Sequence, residues 1–169
     1  AATAHVAWHG AGDYLVSTAP AAPGARAVAV HRLSGGRTQT PFRKLKGRAA
    51  LAAFHPTRPA LLVSAGAHVR VYDLAAQALA SKLVGGSGGA TALGVHPRGD
   101  HVLLGSADSR LAWYDLDLGA TPYRALRYHK GPLTGAAFHP TYPLFASVAA
   151  DGAAHVFHGT VYADLMTPP

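Results

Sequence analysis

Short apolar runs, each bounded by turn-forming residues, dominate the pattern of this chain. Residues 61–64, 102–104 and 144–147 are apolar stretches, and each follows a turn rich in Pro, Gly, Thr or Asp. Runs of this length between turn signals are typical of buried β-strands. Helical periodicity is hard to find anywhere in the chain, so the pattern predicts an all-β protein.

A second kind of segment alternates apolar and polar positions. Residues 68–74, 110–116 and 153–158 read H-V-R-V-Y-D-L, R-L-A-W-Y-D-L and A-A-H-V-F-H. Alternation with period two, built from β-branched and aromatic residues, predicts strands with one face in a core. When the three segments are aligned, aromatic residues coincide and are followed by Asp or His, in the pairs Tyr72-Asp73, Tyr114-Asp115 and Phe157-His158.

These segments belong to a longer internal repeat. An apolar residue followed by His, and usually by Pro, recurs at His9, His55, His96 and His139, in steps of 46, 41 and 43 residues. A period of about 40–45 residues is that of a four-stranded propeller blade. Because the four histidines recur at one position of the repeat, they favour a turn or packing role over a shared metal site.

The repeat predicts a WD-type β-propeller of about four blades, spanning roughly residues 3–47, 48–89, 90–131 and 132–169. No single blade can bury both faces of its small sheet, so neighbouring blades must cover them. Closed propellers contain roughly 4–8 blades. In this chain the last strand of the fourth copy, at 162–166, is barely begun. We therefore expect an arc of a larger ring with apolar faces at both ends, and a longer native protein.

The charge is strongly unbalanced. The chain has 15 Lys and Arg against 8 Asp, without any Glu, which gives a net charge of +7. This excess favours a polyanionic partner such as nucleic acid, although a basic fragment of a more neutral protein has the same composition. No apolar run approaches the roughly 20 residues that cross a bilayer, and no leader is visible, so we expect no membrane partner.

Two basic clusters are the candidate RNA- or partner-binding residues. Both fall where one copy of the repeat passes to the next, on an expected outer strand and loop, where they could follow a phosphate backbone. The alternative is a solvated edge strand whose Lys and Arg prevent edge pairing. The members are Arg37, Arg43, Lys44, Lys46 and Arg48 in the first cluster and Arg124, Arg127 and Lys130 in the second.

The residues that could carry catalysis do not form a known constellation. The chain has no cysteine, no Glu and no G-x-S-x-G motif, so thiolate metal sites, paired-carboxylate chemistry and a nucleophile elbow are unsupported. His155 and His158 are three apart on a strand and point to opposite faces. The Gly-rich run at 85–89 lacks the Lys of a phosphate loop. We expect no catalytic residue, metal, cofactor or small-molecule substrate. Trp113 aligns with core positions, whereas an exposed Trp8 could stack on bases.

Several pairs resemble the WD-repeat signature. Tyr72-Asp73 and Tyr114-Asp115 are similar to its Trp-Asp pair, and Ser106-Ala107-Asp108 to its Ser-x-Asp turn. Tyr128-His129 resembles its Gly-His pair. The resemblance implies a structural hydrogen-bond network with His129 and Asp151 in the fourth copy. Its serine would fall at Ala149, which makes that network appear incomplete.

Longer segments resemble one family, the eukaryotic block-of-proliferation ribosome biogenesis factors. They read Q-T-P-F-R-K, F-H-P-T-R-P, H-V-R-V-Y, W-Y-D-L-D-L and L-R-Y-H-K, beginning at residues 39, 54, 68, 113 and 126. The match runs along nearly the whole chain and corresponds to part of that family's C-terminal, seven-bladed propeller.

This resemblance implies a non-enzymatic nucleolar and nucleoplasmic assembly factor. It would serve the large ribosomal subunit and maturation of its rRNAs. The partners it implies are a pescadillo-type protein, a second WD-repeat protein, and pre-ribosomal RNA within its particle. The alternative from the repeat alone is a generic WD-repeat adaptor that captures a peptide, with the charge incidental and no ribosomal role.

Overall fold

The computed structural model describes residues 4–22, 24–42, 45–84 and 88–159, which form four antiparallel sheets. The first sheet contains β1 His5–Trp8, β2 Tyr14–Thr18, β3 Val28–Arg32 and β4 Arg37–Gln39. The second contains β5 Ala49–Phe54, β6 Ala60–Ala65, β7 His68–Asp73 and β8 Ala78–Val84. The third contains β9 Ala90–Val95, β10 His101–Ser106, β11 Leu111–Asp115 and β12 Arg124–Leu126. The fourth contains β13 Leu133–Phe138, β14 Leu144–Ala149 and β15 Ala154–His158.

Within each sheet, consecutive strands are hydrogen-bonded neighbours, which is the order of a propeller blade. The one helical segment in the described part of the chain is a 3-10 turn, Gly24–Ala27. No helix among these residues is long and apolar enough to cross a membrane. The prediction of an all-β propeller arc is confirmed. The proposed last strand at 162–166 and residues 85–87 of the Gly-rich run lie outside the described residues.

The first strands of successive sheets contact one another, so the sheets are fanned around that side of the molecule. Here the backbones approach closely. A Cβ at Gly94 in β9 would lie 2.7 Å from the carbonyl oxygen of Ala136 in β13, which leaves space for glycine only.

Three apolar cores lie between the four sheets, and strand alternation feeds them. In β6, Leu61 and Val63 pack into the core between the first and second sheets, and Leu62 packs into the next core. In β10, Leu103 packs into the third core. Because successive side chains of a strand point to opposite faces, a second strand with apolar residues at every position fills two cores at once.

Among the described residues, the outer faces of the first and last sheets have no neighbouring sheet. Val6 and Trp8 on the first sheet are 50% and 60% exposed, and Val148 and Val156 on the last are 42% and 71% exposed. The expectation of apolar faces at both ends of the arc is confirmed. Trp113, in contrast, is 4% exposed and packs in the third core, as its alignment predicts.

Candidate nucleic-acid interface

The connections between strands fall at two opposite ends of the sheets, because consecutive strands run antiparallel. We call one the His-Pro end: it carries the turns from first to second and from third to fourth strands, at 9–13, 33–36, 55–59, 74–77, 96–100, 116–123 and 139–143. We call the other the linker end: it carries second-to-third turns and sheet-to-sheet linkers, whose described residues are 19–22, 24–27, 40–42, 45–48, 66–67, 88–89, 107–110, 127–132 and 150–153.

The linker end is strongly basic. Its described connections contain the cations Arg26, Lys46, Arg48, Arg110, Arg127 and Lys130, against the carboxylates of Asp108 and Asp151. All of these cations except Arg110 are exposed. None of the ion pairs within the described part of the chain involves Lys46, Arg48, Arg127 or Lys130.

The His-Pro end is close to neutral and internally paired. Its connections contain Arg58 and Arg98 against Asp13, Asp100 and Asp117. Arg58 Nη2 lies 3.2 Å from Asp117 Oδ1, and Arg98 Nε lies 3.5 Å from Asp100 Oδ2. The positive field of the protein is therefore concentrated at the linker end.

The sequence-predicted cations divide between the two ends. Lys46, Arg48, Arg127 and Lys130 lie in linker-end connections, whereas Arg37 and Arg124 begin the outer strands β4 and β12 at the opposite end. Arg43 and Lys44 lie outside the described residues. Sequence reasoning missed Arg26 and Arg110, which are isolated in the sequence and join the cluster only when second-to-third turns reach the same end as the linkers.

Two hydrogen bonds tie the linker between the first and second sheets to neighbouring segments. Arg48 Nε donates to the Pro20 carbonyl at 3.3 Å, joining the first linker to the second-to-third turn of the first sheet. Arg70 Nη1 donates to the Lys46 carbonyl. The latter bond occupies only the backbone of Lys46, so its ammonium group remains available to a ligand.

A side-chain network holds the last linker. His129 is buried, its Nε2 lies 2.8 Å from Ser147 Oγ, and its Nδ1 lies 3.3 Å from Asp151 Oδ2. The expectation that this network lacks its serine is wrong. Ser147 supplies the hydroxyl from two positions before Ala149, and residues two apart on a strand share a face.

Asp151 is the anchor of that linker. Its carboxylate accepts hydrogen bonds from the backbone N–H groups of Lys130 at 2.7 Å and Ala153 at 3.0 Å. These two bonds, followed by that of His129, lower the pKa of Asp151 to about 2. The network places Lys130 beside a carboxylate that stays ionised, and it fixes the linker backbone before any ligand binds.

The other repeat residues shape turns and cores. Ser106 Oγ donates to Asp108 Oδ1 in the equivalent turn of the third sheet. Asp73 Oδ1 accepts from Ala75 N at 2.8 Å, and Asp115 Oδ1 accepts from Asp117 N at 2.9 Å, so both cap the turns that follow them.

The aligned aromatics contribute packing. Tyr72 lies against Phe42 with ring centroids 4.1 Å apart, and Phe157 stacks on Phe145 at 4.9 Å. Tyr114 is fully buried, its hydroxyl donates to the Val84 carbonyl of the preceding sheet, and burial raises the pKa of this phenol.

The repeated histidines cap the turns at the His-Pro end. The Nδ1 atom of His55 accepts from Thr57 N at 3.2 Å and Arg58 N at 3.0 Å. His139 does the same with Thr141 N and Tyr142 N. The predicted turn role is confirmed at these positions. No group of three potential metal ligands occurs within the described ranges.

Comparison with known proteins identifies relatives along almost the whole chain. The WD domain, G-beta repeat family matches residues 120–158. "Ribosome biogenesis protein BOP1 homolog" of Chlamydomonas reinhardtii is 58% identical over 164 residues, covering 97% of this chain and 20% of the relative. "Ribosome biogenesis protein ERB1" of Yarrowia lipolytica is 52% identical over 165 residues, covering 97% and 20%.

"Ribosome biogenesis protein BOP1" of Homo sapiens is 50% identical over 164 residues, which is 97% of this chain and 22% of the human protein. The chain thus spans about one fifth of the length of these relatives. The resemblance seen in the sequence is confirmed: the chain carries a WD repeat and is homologous, over nearly all of its length, to the BOP1/ERB1 ribosome biogenesis proteins.

Proposed function

We propose that the chain acts in ribosome biogenesis as a non-enzymatic scaffold for assembly of the large ribosomal subunit, and that its linker end binds pre-ribosomal RNA. The observation that carries the proposal is the segregation of exposed cations onto this one end. The names of the homologues support the biological setting. The site of action we propose is the nucleolus and nucleoplasm.

The physical reason is the phosphate backbone. Lys and Arg side chains that neutralise phosphates release counterions, and this release dominates non-specific affinity for nucleic acid. At the linker end, Lys46, Arg48, Arg127 and Lys130 would reach phosphates without breaking any ion pair in the described part of the chain. At the His-Pro end, Arg58 and Arg98 would first have to leave Asp117 and Asp100.

The scaffold role extends to proteins. A propeller arc presents turns and strand edges rather than a catalytic pocket. This form suits WD repeats to binding other macromolecules. The partners we propose are a pescadillo-type protein and a second WD-repeat protein. Their binding would assist maturation of the large-subunit rRNAs within the pre-ribosomal particle.

RNA binding is tested by charge reversal at the linker end. Lys46, Arg48, Arg127 and Lys130 are changed together to Glu, and binding to large-subunit rRNA fragments is measured across salt concentration. A plot of log K against log salt has a negative slope, and each lost phosphate contact should reduce the magnitude of that slope by about 0.7–0.9. Circular dichroism establishes that the variant keeps its sheets.

The chain supplies a matched control with the same change in net charge. Reversal of Arg37, Arg58, Arg98 and Arg124 also exchanges four cations for four carboxylates, but at the other end. We expect this variant to keep most of its salt slope. Equal losses in the two variants would contradict a defined RNA face. Recovery of the protein from cells without ribosomal or nucleolar partners would instead favour a generic adaptor.

A further inference from the structure

The described connections of the linker end contain one exposed aromatic side chain, that of Tyr128. Two other aromatic rings lie in these connections, but Phe42 is 8% and His129 is 7% exposed, against 62% for Tyr128. Phe42 packs on Tyr72, and His129 belongs to the network with Ser147, so both of these rings have structural contacts. Among the three, only Tyr128 presents its ring to solvent.

Unpaired cations flank this tyrosine in the chain. Arg127 and Lys130 are exposed, and neither takes part in an ion pair within the described part of the chain. The carboxylate that contacts this linker, that of Asp151, has its side chain only 15% exposed and accepts hydrogen bonds from the N–H groups of Lys130 and Ala153. The segment therefore offers two available cations and little exposed negative charge next to the aromatic ring.

The ring of Tyr128 is supported from one side. Its centroid lies 5.5 Å from that of Phe157 and 6.3 Å from that of His155, both on β15. The next residue, His129, is buried and bonded to Ser147, which fixes the backbone that carries the tyrosine. A side chain that is already positioned loses less conformational freedom when a ligand binds to it.

The other exposed aromatic side chains that could stack on a base lie at the opposite end. Trp8 is the last residue of β1, directly before the turn at 9–13 of the His-Pro end, and it lies on the open face of the first sheet. Tyr142 is 65% exposed in the turn at 139–143 of the same end. Tyr142 is therefore a control for Tyr128, since its exposure is similar and its ring also rests on a neighbouring ring, that of His139 at 4.9 Å.

An aromatic ring between cations suits one form of nucleic acid. The cations follow the phosphate backbone, while the ring stacks on a base, and every base has a face that can stack. In a duplex the bases are already paired and stacked on one another, and the deep major groove of duplex RNA admits no side chains to them. A site of this composition therefore discriminates single strands from duplexes.

We propose that Tyr128 is a base-stacking platform, through which the linker end binds single-stranded stretches of pre-ribosomal RNA. One base stacks on the open side of the ring, and Arg127 and Lys130 contact neighbouring phosphates. This inference rests on the proposed function and specifies the form of RNA that the linker end takes.

The test uses a fluorescein-labelled decanucleotide RNA without internal pairing, either as a single strand or annealed to its complement. Binding to the full-chain protein is followed by fluorescence anisotropy. Tyr128→Ala should weaken binding to the single strand about fivefold or more, and binding to the duplex less than about twofold. Equal losses for the two forms would overturn the proposal, and an unchanged affinity for the single strand would overturn it in favour of a protein contact at Tyr128.

The matched variant at the other end is Tyr142→Ala. It removes an equally exposed tyrosine from the His-Pro end, and should change the affinity for the single strand less than about twofold. A larger loss for Tyr142→Ala than for Tyr128→Ala would refute the assignment of the stacking platform to the linker end.

The salt dependence separates stacking from phosphate contacts. Tyr128→Ala removes no charge, so its slope of log K against log salt should equal that of the parent, whereas reversal of Lys46, Arg48, Arg127 and Lys130 should reduce the magnitude of the slope. If the charge reversal leaves affinity and slope unchanged, the proposed function itself fails. If the charge reversal weakens binding but Tyr128→Ala binds like the parent, only the stacking platform fails.

Two further substitutions identify the part of the side chain that binds. Tyr128→Phe keeps the ring and should bind the single strand within about twofold of the parent, whereas Tyr128→Leu keeps apolar contact with Phe157 but has no π-face, and should weaken binding about as much as Tyr128→Ala. Parent-like binding by the leucine variant, or equal losses in the phenylalanine and leucine variants, would overturn stacking as the contact. Circular dichroism establishes that each variant keeps its sheets.

Discussion

Replacement of Gly99 by Ala probes the packing between the second and third sheets at the His-Pro end. Gly99 has φ of +83°, a conformation that costs an L-residue about 1–2 kcal/mol. The stiffer unfolded chain offsets about 0.4–1 kcal/mol of this cost. In addition, the new Cβ would lie 2.1 Å from the His55 ring. Because that ring is fully buried, overpacking there adds about 1–3 kcal/mol. The expected total loss of stability is about 2–4 kcal/mol.

Gly152 provides the matched control. It has φ of +79°, and a Cβ there would meet nothing within 4 Å. Gly152→Ala therefore carries the backbone strain without the clash, and should cost about 1 kcal/mol. The difference between the two variants isolates the contact with His55.

The assay is urea denaturation followed by circular dichroism, with the midpoint and slope fitted for each variant. A double-mutant cycle completes it: in a His55→Ala background, Gly99→Ala should cost no more than Gly152→Ala does, because the ring is gone. Equal destabilisation by Gly99→Ala and Gly152→Ala in the original background would refute the prediction. It would show that the packing between the second and third sheets does not depend on the contact of Gly99 with His55.

Three further expectations concern stability. Asp151→Asn should destabilise the protein at neutral pH. The difference in stability from the parent should vanish as the pH falls from about 4 to about 2, since a carboxylate with a lowered pKa stabilises only while ionised. A pH-independent difference in urea midpoints would contradict this. Tyr114→Phe should cost about 0.5–1.5 kcal/mol in the same assay by removing the bond to the Val84 carbonyl. Trp113→Ala should cost about 3–5 kcal/mol, whereas Trp8→Ala on the open face should change stability by less than about 1 kcal/mol; similar values for both would argue against the assigned cores.

The architecture could be predicted from the sequence because alternation and a fixed repeat are local signals. Leu61, Leu62 and Val63 read as a buried strand without any tertiary information, and the recurrent histidines read as turn residues. The first reading depends on spacing along one strand, and the second on the spacing between successive copies of the repeat. The serine of the His129 network could not be placed, because Ser147 and Ala149 share a strand face and both positions satisfy the pattern.

The candidate interface was only partly predictable for a topological reason. A run such as Lys46 and Arg48 is visible as a cluster in the sequence, and it does lie at the linker end. Arg37 is close to that run in sequence but begins an outer strand at the opposite end. Arg26 and Arg110 join the linker end from other turns, which becomes evident only once every strand has a direction.

RNA should contact the linker end and not the opposite end. Ultraviolet cross-linking of the protein to large-subunit rRNA, followed by mass spectrometry of the cross-linked peptides, tests it most directly. We expect cross-links in peptides that contain Lys46 and Arg48, or Arg127 and Lys130. Cross-links concentrated in the turns around Arg58 and Arg98 would contradict it.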